Sequence, residues 1–255
     1  MSSKKLGETK GPFIVWLFVT LCFIMSTIFR SSSGGALPQD ITMSLVLSLL
    51  INMTIPWGVV LVFFTIFLAF WEKKRSLKEI FVSVGLKREG FAKSVLWTLA
   101  LIPFFLIIYL LLMMFSYFLS PVSFPQSSVP SVGQIPAWYP YYMMIYSFFP
   151  VAVVEEAFAR GYMLDRLMPE HPSSLTKALP AIIISSLLFT LYHLPSYLRV
   201  YSFSLPWATA LLLGNVFPWS IALSIAYVRA RTRNILGPVL IHFLVDSIPI
   251  ILSVA

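Results

Sequence analysis

The amino-acid sequence predicts an all-α fold, a polytopic transmembrane helix bundle of about seven to eight spans. Hydrophobic residues make up 58% of the 255 residues and charged residues only 11%, whereas soluble domains are close to a quarter charged. The hydrophobic residues lie in long continuous runs, several of them longer than the roughly 20 residues that a helix needs to cross a bilayer. Because a backbone in lipid must satisfy its own hydrogen bonds, runs of this length indicate helices.

The apolar segments can be delimited along the chain. Two of them contain an interior proline, Pro56 in the second and Pro103 in the third, and such a proline bends or splits a helix. The sequence leaves open whether the second segment is one span or two. A proline-rich and serine-rich stretch, 121–136, is predicted to be a loop. The apolar segments cover 12–29, 41–71, 95–120, 138–164, 178–198, 207–228 and 235–253.

Basic residues cluster at the ends of these segments, and the net charge is +8. They occur mainly in the N-terminal tail, in loop 72–93, and after the fourth and sixth segments. With seven spans these regions fall on one side of the membrane, which the positive-inside rule makes cytoplasmic. We therefore expect a multi-pass integral membrane protein, in the cell membrane if it is prokaryotic, with a cytoplasmic N-terminus. The charge is expected to face lipid headgroups and not nucleic acid.

Loop 72–93 also predicts an amphipathic element at the membrane interface, because Leu77, Ile80, Phe81 and Val84 are interspersed among its charges.

The chain divides into two regions. Residues 1–137 are predicted to form an N-terminal transmembrane region that includes loop 72–93, and residues 138–255 the core that carries the candidate catalytic residues. The single cysteine, Cys22, excludes a disulfide framework and a thiolate metal cluster.

Three of the apolar segments contain ionisable residues. Such residues are costly inside a membrane, so they usually face the bundle interior and mark a functional site. With one neighbouring aromatic residue they are, in chain order, Glu155, Glu156, Arg160, Phe189, His193, His242 and Asp246.

Helical spacing relates the residues of the fourth and fifth segments. Glu156 and Arg160 are four residues apart, so they lie on one helical face and can pair. Glu155 lies about 100° round the helix from Glu156 and is free to point toward His193. Phe189 lies one turn before His193 and can form a wall beside it.

The predicted approach of Glu155 to His193 requires both residues to lie at the same depth in the membrane. Counted from the segment edges, Glu155 lies near the predicted cytoplasmic end of its span and His193 toward the outer end of the next. The two meet only if the helix boundaries shift or the helices tilt.

A carboxylate and a histidine in a low-dielectric cavity can act together as a general base, so Glu155 and His193 are candidates for activating water in amide hydrolysis. His242 and Asp246 also share a helical face. Both can donate hydrogen bonds to a developing oxyanion, His242 through its N–H and Asp246 only when protonated. Alternatively, Glu156 and Arg160 form only a structural ion pair, and each histidine only bridges helices.

The ordered set of motifs resembles a known family. Glu155-Glu156-x-x-x-Arg160, Phe189-x-x-x-His193 and His242-x-x-x-Asp246, on separate helices, are similar to the motifs of the CAAX prenyl endopeptidase and bacteriocin-processing (CPBP, Abi) family of intramembrane proteases. The resemblance covers roughly residues 138–250.

This resemblance implies that Glu155 and His193 activate water, with Glu156, Arg160 and Phe189 in supporting positions. It further implies that His242 and Asp246 stabilise the transition state. The family often has asparagine where this sequence has Asp246, a difference that bears both on the oxyanion role and on metal ligation.

The leading hypothesis is an intramembrane endopeptidase that needs no cofactor. Its substrate would be a membrane-anchored or prenylated CAAX-type protein, cut near the C-terminus, or a membrane-associated peptide. A second hypothesis uses Zn²⁺ held by Glu155, His193 and His242. Two further alternatives come from other classes, a non-catalytic immunity or scaffold protein and a proton-coupled transporter, although the repeat halves typical of transporters are not evident.

Overall fold

The computed structural model describes residues 6–32, 55–74, 76–119, 138–169, 172, 174–200 and 205–252. Within these residues the chain is helical and contains no strand, so the all-α prediction is confirmed for this part of the protein. In chain order the helices are α1 (Leu6–Ser32), α2 (Ile55–Phe70), α3 (Leu77–Ser83), α4 (Phe91–Leu119), α5 (Tyr139–Leu167), α6 (Leu175–Tyr192), α7 (Leu194–Val200), α8 (residues 205–230) and α9 (Leu236–Leu252).

Two of the described helices, α5 and α6, are long and apolar enough to cross a membrane. Shorter apolar stretches lie in α1, α2, α4 and α9. The number of seven to eight spans stays a prediction. Part of segment 41–71 and all of loop 121–136 lie outside the described residues, so whether that segment is one span or two also stays open.

Proline affects two of the predicted segments differently. Helix α4 continues through Pro103 and is not split there. Segment 178–198, expected as one apolar run, is divided: α6 ends at Tyr192, His193 caps it, and α7 begins at Leu194. Pro195 gives the physical reason, because it has no N–H to continue the ladder and its ring clashes with the carbonyl four residues earlier.

Helix α5 lies at the centre of the described bundle. Helix α9 packs against its first half and against α4, while α8 packs against α4 and α6. Every residue of α5 from Val154 to Asp165 is buried. Gly161 allows one close contact, because a Cβ there would collide with the backbone of Val84.

The described parts of the basic loops lie together at one end of the bundle, called the basic end below and comprising residues 71–74, 76–90, 165–169, 172, 174 and 231–235. Asn234 joins two of these loops by donating from its side chain to the carbonyls of Lys87 and Glu89. Arg233 joins the third, because its Nε lies 3.2 Å from Oδ1 of Asp165. The ends of α2, α5 and α8 and the starts of α4, α6 and α9 therefore meet here.

The amphipathic element predicted in loop 72–93 is the short helix α3. Ser76 caps it, because its Oγ accepts a hydrogen bond from the backbone N–H of Glu79. Its apolar residues do not share one face. Ile80 and Val84 are buried against the bundle, whereas Leu77 and Phe81 are 63% and 48% exposed.

Candidate active site

The two adjacent glutamates lie in a single α-helical turn between two π-helical segments of α5. The first π segment is Ser147–Val153, the α turn is Val154–Glu156, and the second π segment is Ala157–Leu164. Pro150 lies inside the first and cannot donate to a regular helical ladder. Because π segments are rare and often accompany functional sites, they mark this part of α5 as specialised. The sequence pattern did not predict them.

Arg160 forms the predicted pair with Glu156. Its Nη1 donates to Oε1 of Glu156 at 2.9 Å, and both side chains are fully buried. Its Nη2 donates to the backbone oxygen and to Oγ of Ser220, at 3.0 and 2.8 Å. The guanidinium also lies over the ring of Phe189, 4.6 Å from its centroid. Sequence reasoning missed Ser220, which is 60 residues away and has no local spacing signal.

Glu156 has a second partner that was not predicted. Nδ1 of His242 lies 2.8 Å from Oε1 of Glu156. The carboxylate paired with Arg160 is an acceptor, so Nδ1 of His242 carries the proton and donates it. Nε2 of His242 consequently carries a proton only when the ring is an imidazolium. Donation from His242 to an oxyanion through Nε2 therefore needs the doubly protonated ring.

Glu155 faces both histidines. Its Oε2 lies 3.7 Å from Nε2 of His193 and 3.8 Å from Nε2 of His242. This oxygen is buried and has no hydrogen-bond partner among the described residues. The hydroxyl of Tyr192 interacts with the same carboxylate, a neighbour that sequence reasoning also missed. A buried carboxylate oxygen without a partner is costly, so its position between two imidazoles calls for a functional explanation.

His193 is oriented by the break between α6 and α7. Its Nδ1 lies 2.8 Å from the backbone oxygen of Phe189. A carbonyl can only accept, so Nδ1 carries the proton and the neutral ring presents the lone pair of Nε2 toward Glu155. The rings of Phe189 and Tyr192 pack against the imidazole, with centroids 4.9 and 4.1 Å away. Phe189 therefore packs beside His193, as its spacing predicts.

Asp246 lies at the outer edge of this group. Its Oδ2 is 3.6 Å from Nε2 of His242, as the four-residue spacing predicts. Its side chain is 34% exposed, whereas that of His242 is 8% exposed. Asp246 is thus the most accessible carboxylate of the group, while Glu155 and Glu156 lie inside it.

The Zn²⁺ alternative needs ligand atoms that converge on one point. Among the described histidines, cysteines, aspartates and glutamates, no group of three or more is arranged to hold a metal ion. Glu155, His193 and His242 thus lie near one another without forming such a group.

Comparison with protein families gives a match to the part of the chain that carries the site. Residues 137–248 match the family described as type II CAAX prenyl endopeptidase, Rce1-like. The family resemblance is confirmed. Comparison with curated proteins and with solved structures finds no match.

The region that matches the Rce1-like family contains all seven motif residues, from Glu155 to Asp246. Proteins of this family are membrane proteases, which agrees with the apolar helices described above. The match supports a protease as the class of protein. The individual roles of the site residues stay predictions, as do the substrate and the division of the chain at residue 137.

Proposed function

We propose that this protein is a multi-pass intramembrane endopeptidase in which Glu155 and His193 activate the attacking water. One observation carries the proposal: Oε2 of Glu155, which has no hydrogen-bond partner among the described residues, lies 3.7 Å from a ring nitrogen of His193 whose lone pair faces it. The family match supports the same class of reaction.

The separation of these two atoms suits a bridging water. A water that donates one hydrogen bond to Oε2 of Glu155 and one to Nε2 of His193 keeps a lone pair of its oxygen for attack. As that oxygen bonds to the peptide carbonyl carbon, Glu155 takes one proton. The carbonyl oxygen becomes an oxyanion, and the proton on Glu155 then passes to the amide nitrogen as the C–N bond breaks.

The oxyanion needs a hydrogen-bond donor, and we propose His242 in its imidazolium form. Glu156 accepts from Nδ1 and stabilises the positive ring, so the N–H at Nε2 can point to the oxyanion. Asp246 lies 3.6 Å from the same nitrogen and can either orient the ring as a carboxylate or donate to the oxyanion when protonated. Arg160 holds Glu156 in place and does not reach the reacting atoms in this scheme.

The proposed substrate is a membrane-anchored or prenylated CAAX-type protein, cut near its C-terminus, or a membrane-associated peptide. The bilayer is the proposed environment, with the basic end and the N-terminus in the cytoplasm. No cofactor takes part in the proposed scheme, and nucleic acid is not a proposed partner.

Cleavage of a prenylated CAAX-type reporter peptide by the purified protein in detergent tests the reaction. Glu155→Gln and His193→Ala are expected to lower kcat by a factor on the order of 10²–10⁴, the range of general acid–base catalysis. Glu79→Gln is the matched control, because Glu79 is exposed on α3, outside the site, and should leave the rate unchanged.

Each reaction is repeated with a chelator. Cleavage that the chelator abolishes and added Zn²⁺ restores would favour the metal alternative over the proposed scheme. Full activity of Glu155→Gln would contradict a catalytic Glu155 and favour a non-catalytic role for the buried group. Absence of cleavage by the wild type would exclude this peptide as a substrate.

A further inference from the structure

A cavity at the basic end is lined by an excess of positive side chains. It has a volume of about 300 Å³ and lies between the end of α2, the turn after α3 and the segment before α9. A second cavity of about 270 Å³ adjoins it and shares Tyr227 and Arg233 as lining residues. The charged residues that line the first cavity are Lys74, Lys87, Arg166, Arg233 and Asp165.

The acidic residues near the cavity are already engaged. Oδ2 of Asp165 lies 3.1 Å from Nη1 of Arg166, and its Oδ1 accepts from the hydroxyl of Tyr227 at 3.3 Å and lies 3.2 Å from Nε of Arg233. Arg166 is also held by Glu72, with its Nη2 3.1 Å from Oε2. These contacts orient the guanidinium groups of Arg166 and Arg233. The carboxylates of Asp165 and Glu72 are already paired with these two arginines.

The two lysines contribute the charge that is not balanced locally. Neither Lys74 nor Lys87 forms an ion pair with a carboxylate of the described residues. Both side chains are partly buried and line the cavity. Four basic residues and one carboxylate thus line the cavity, and two of the basic residues have no ion pair among the described residues, so the balance of charge favours an anion inside it.

Backbone conformation gives a second, independent observation. Among the described residues other than glycine, positive φ occurs at Lys73, Arg231 and Arg233, with values of 55°, 54° and 51°. Glycine and asparagine adopt this conformation most readily, and at helix ends glycine is the usual choice. All three positions carry basic side chains and lie at the basic end. Arg233 lines both cavities, and Arg231 lines the second one. Strained backbone that holds a particular side chain points to a use for that side chain.

We propose that this cleft binds the phosphate group of an anionic ligand, with Lys74, Lys87, Arg166 and Arg233 as the donors. Ammonium and guanidinium groups match phosphate oxygens, and guanidinium can do so with two hydrogen bonds. The phosphate can belong to a lipid headgroup, since basic pockets between membrane helices bind such groups, or to a soluble phosphate compound. Asp165 follows Glu155 by ten residues on α5, more than two helical turns toward the basic end, so this site is separate from the proposed catalytic site.

The experiment measures adducts of the full chain by native mass spectrometry in detergent. The probes are dioleoyl phosphatidic acid, dioleoyl phosphatidylcholine as a lipid without net charge, and inorganic pyrophosphate. The test variant is Lys74→Gln/Lys87→Gln, which leaves the contacts of Asp165 with both arginines intact. Lys78→Gln/Lys93→Gln is the matched control, because these exposed lysines belong to the same stretch of chain but line neither cavity.

We expect phosphatidic acid or pyrophosphate to bind the wild type at one site, and affinity to fall on the order of tenfold or more in the test variant and less than twofold in the control. Phosphatidic acid binding that pyrophosphate does not displace identifies a lipid headgroup as the source, whereas pyrophosphate binding alone identifies a soluble phosphate. The proposal is overturned if neither anion binds, if phosphatidylcholine binds as well as phosphatidic acid, or if both double variants lose affinity equally. Because no readout depends on peptide cleavage, the result is independent of the proposed protease activity.

Discussion

Oε1 of Glu156 accepts hydrogen bonds from both His242 and Arg160, at 2.8 and 2.9 Å, and so connects α9 to the middle of α5 across 86 residues of sequence. The second glutamate of the pair is therefore more than the partner of an arginine. It fixes which nitrogen of His242 is free to face Glu155. Ser220 extends the connection, because it accepts from the other side of the Arg160 guanidinium.

Substitution of the two glutamates should have different effects on the stability of the protein. Glu155→Gln removes a buried charge whose Oε2 has no hydrogen-bond partner among the described residues, so the unfolding temperature in detergent should stay the same or rise. Glu156→Gln leaves the buried guanidinium of Arg160 without its carboxylate and should destabilise the protein by about 3–5 kcal/mol. Thermal unfolding of both variants beside the wild type measures the difference. Equal losses in the two variants would show that Glu155 has a structural role like that of Glu156.

The contact between Glu156 and His242 should appear as a coupling energy. A double-mutant cycle with Glu156→Gln and His242→Ala, read by unfolding in detergent, should give about 1.5–3 kcal/mol, the range for hydrogen bonds to charged groups. A second cycle that pairs Glu156→Gln with Glu79→Gln serves as the control and should give additive effects, because Glu79 is exposed on α3, outside the site. Additivity in the first cycle as well would mean that the 2.8 Å contact contributes nothing to stability.

Ser220 should act as a positioning residue. Ser220→Ala removes the hydroxyl that accepts from Arg160 but keeps the backbone acceptor, so we expect a loss of about 1 kcal/mol in transition-state stabilisation, roughly fivefold in kcat, with KM unchanged. Ser224→Ala is the matched control, since Ser224 is buried one turn later on the same helix and contacts Ser186 instead. Steady-state kinetics on the reporter peptide give both constants. Equal effects of the two substitutions would indicate general loosening of α8 and not a specific connection to Glu156.

Gly161 should tolerate no side chain. A Cβ at this position would overlap the backbone of Val84, so Gly161→Ala should destabilise the protein by about 1–3 kcal/mol as α5 and α3 move apart. Gly58→Ala is the control, because a Cβ added at Gly58 would meet nothing within 4 Å and alanine favours a helix. The unfolding temperature should fall for Gly161→Ala and stay the same or rise for Gly58→Ala. An unchanged unfolding temperature for Gly161→Ala would show that the backbone near Val84 can move away from α5 at little cost in free energy.

Several contacts at the site follow from spacing along one helix. Glu156 with Arg160 and His242 with Asp246 are each four residues apart, and their atoms lie 2.9 and 3.6 Å from each other. A helix brings such residues to one face whatever the rest of the fold does. The motifs were therefore readable without the structure, and so was the family that they indicate.

Other features had no clear signal in the sequence. Hydropathy alone does not show that the apolar run 178–198 is interrupted at His193; Pro195 is the local signal that indicates it. Counting residues placed Glu155 and His193 at different depths, whereas their side chains lie 3.7 Å apart. Helix α5 extends to Leu167, beyond the predicted edge at residue 164, and its π segments change the relation between residue number and depth.

The sequence by itself determined that the chain is helical and apolar and which acidic, basic and imidazole groups it places inside, because composition and four-residue spacing act through local geometry. Only the tertiary structure decided which carboxylate meets which imidazole. Glu155 and Glu156 are neighbours on one helix. Oε2 of Glu155 faces both histidines, whereas Glu156 contacts His242 and pairs with Arg160. That assignment depends on the π segments of α5 and on the packing of α6 and α9 against it, and neither is specified by the spacing of residues within one segment.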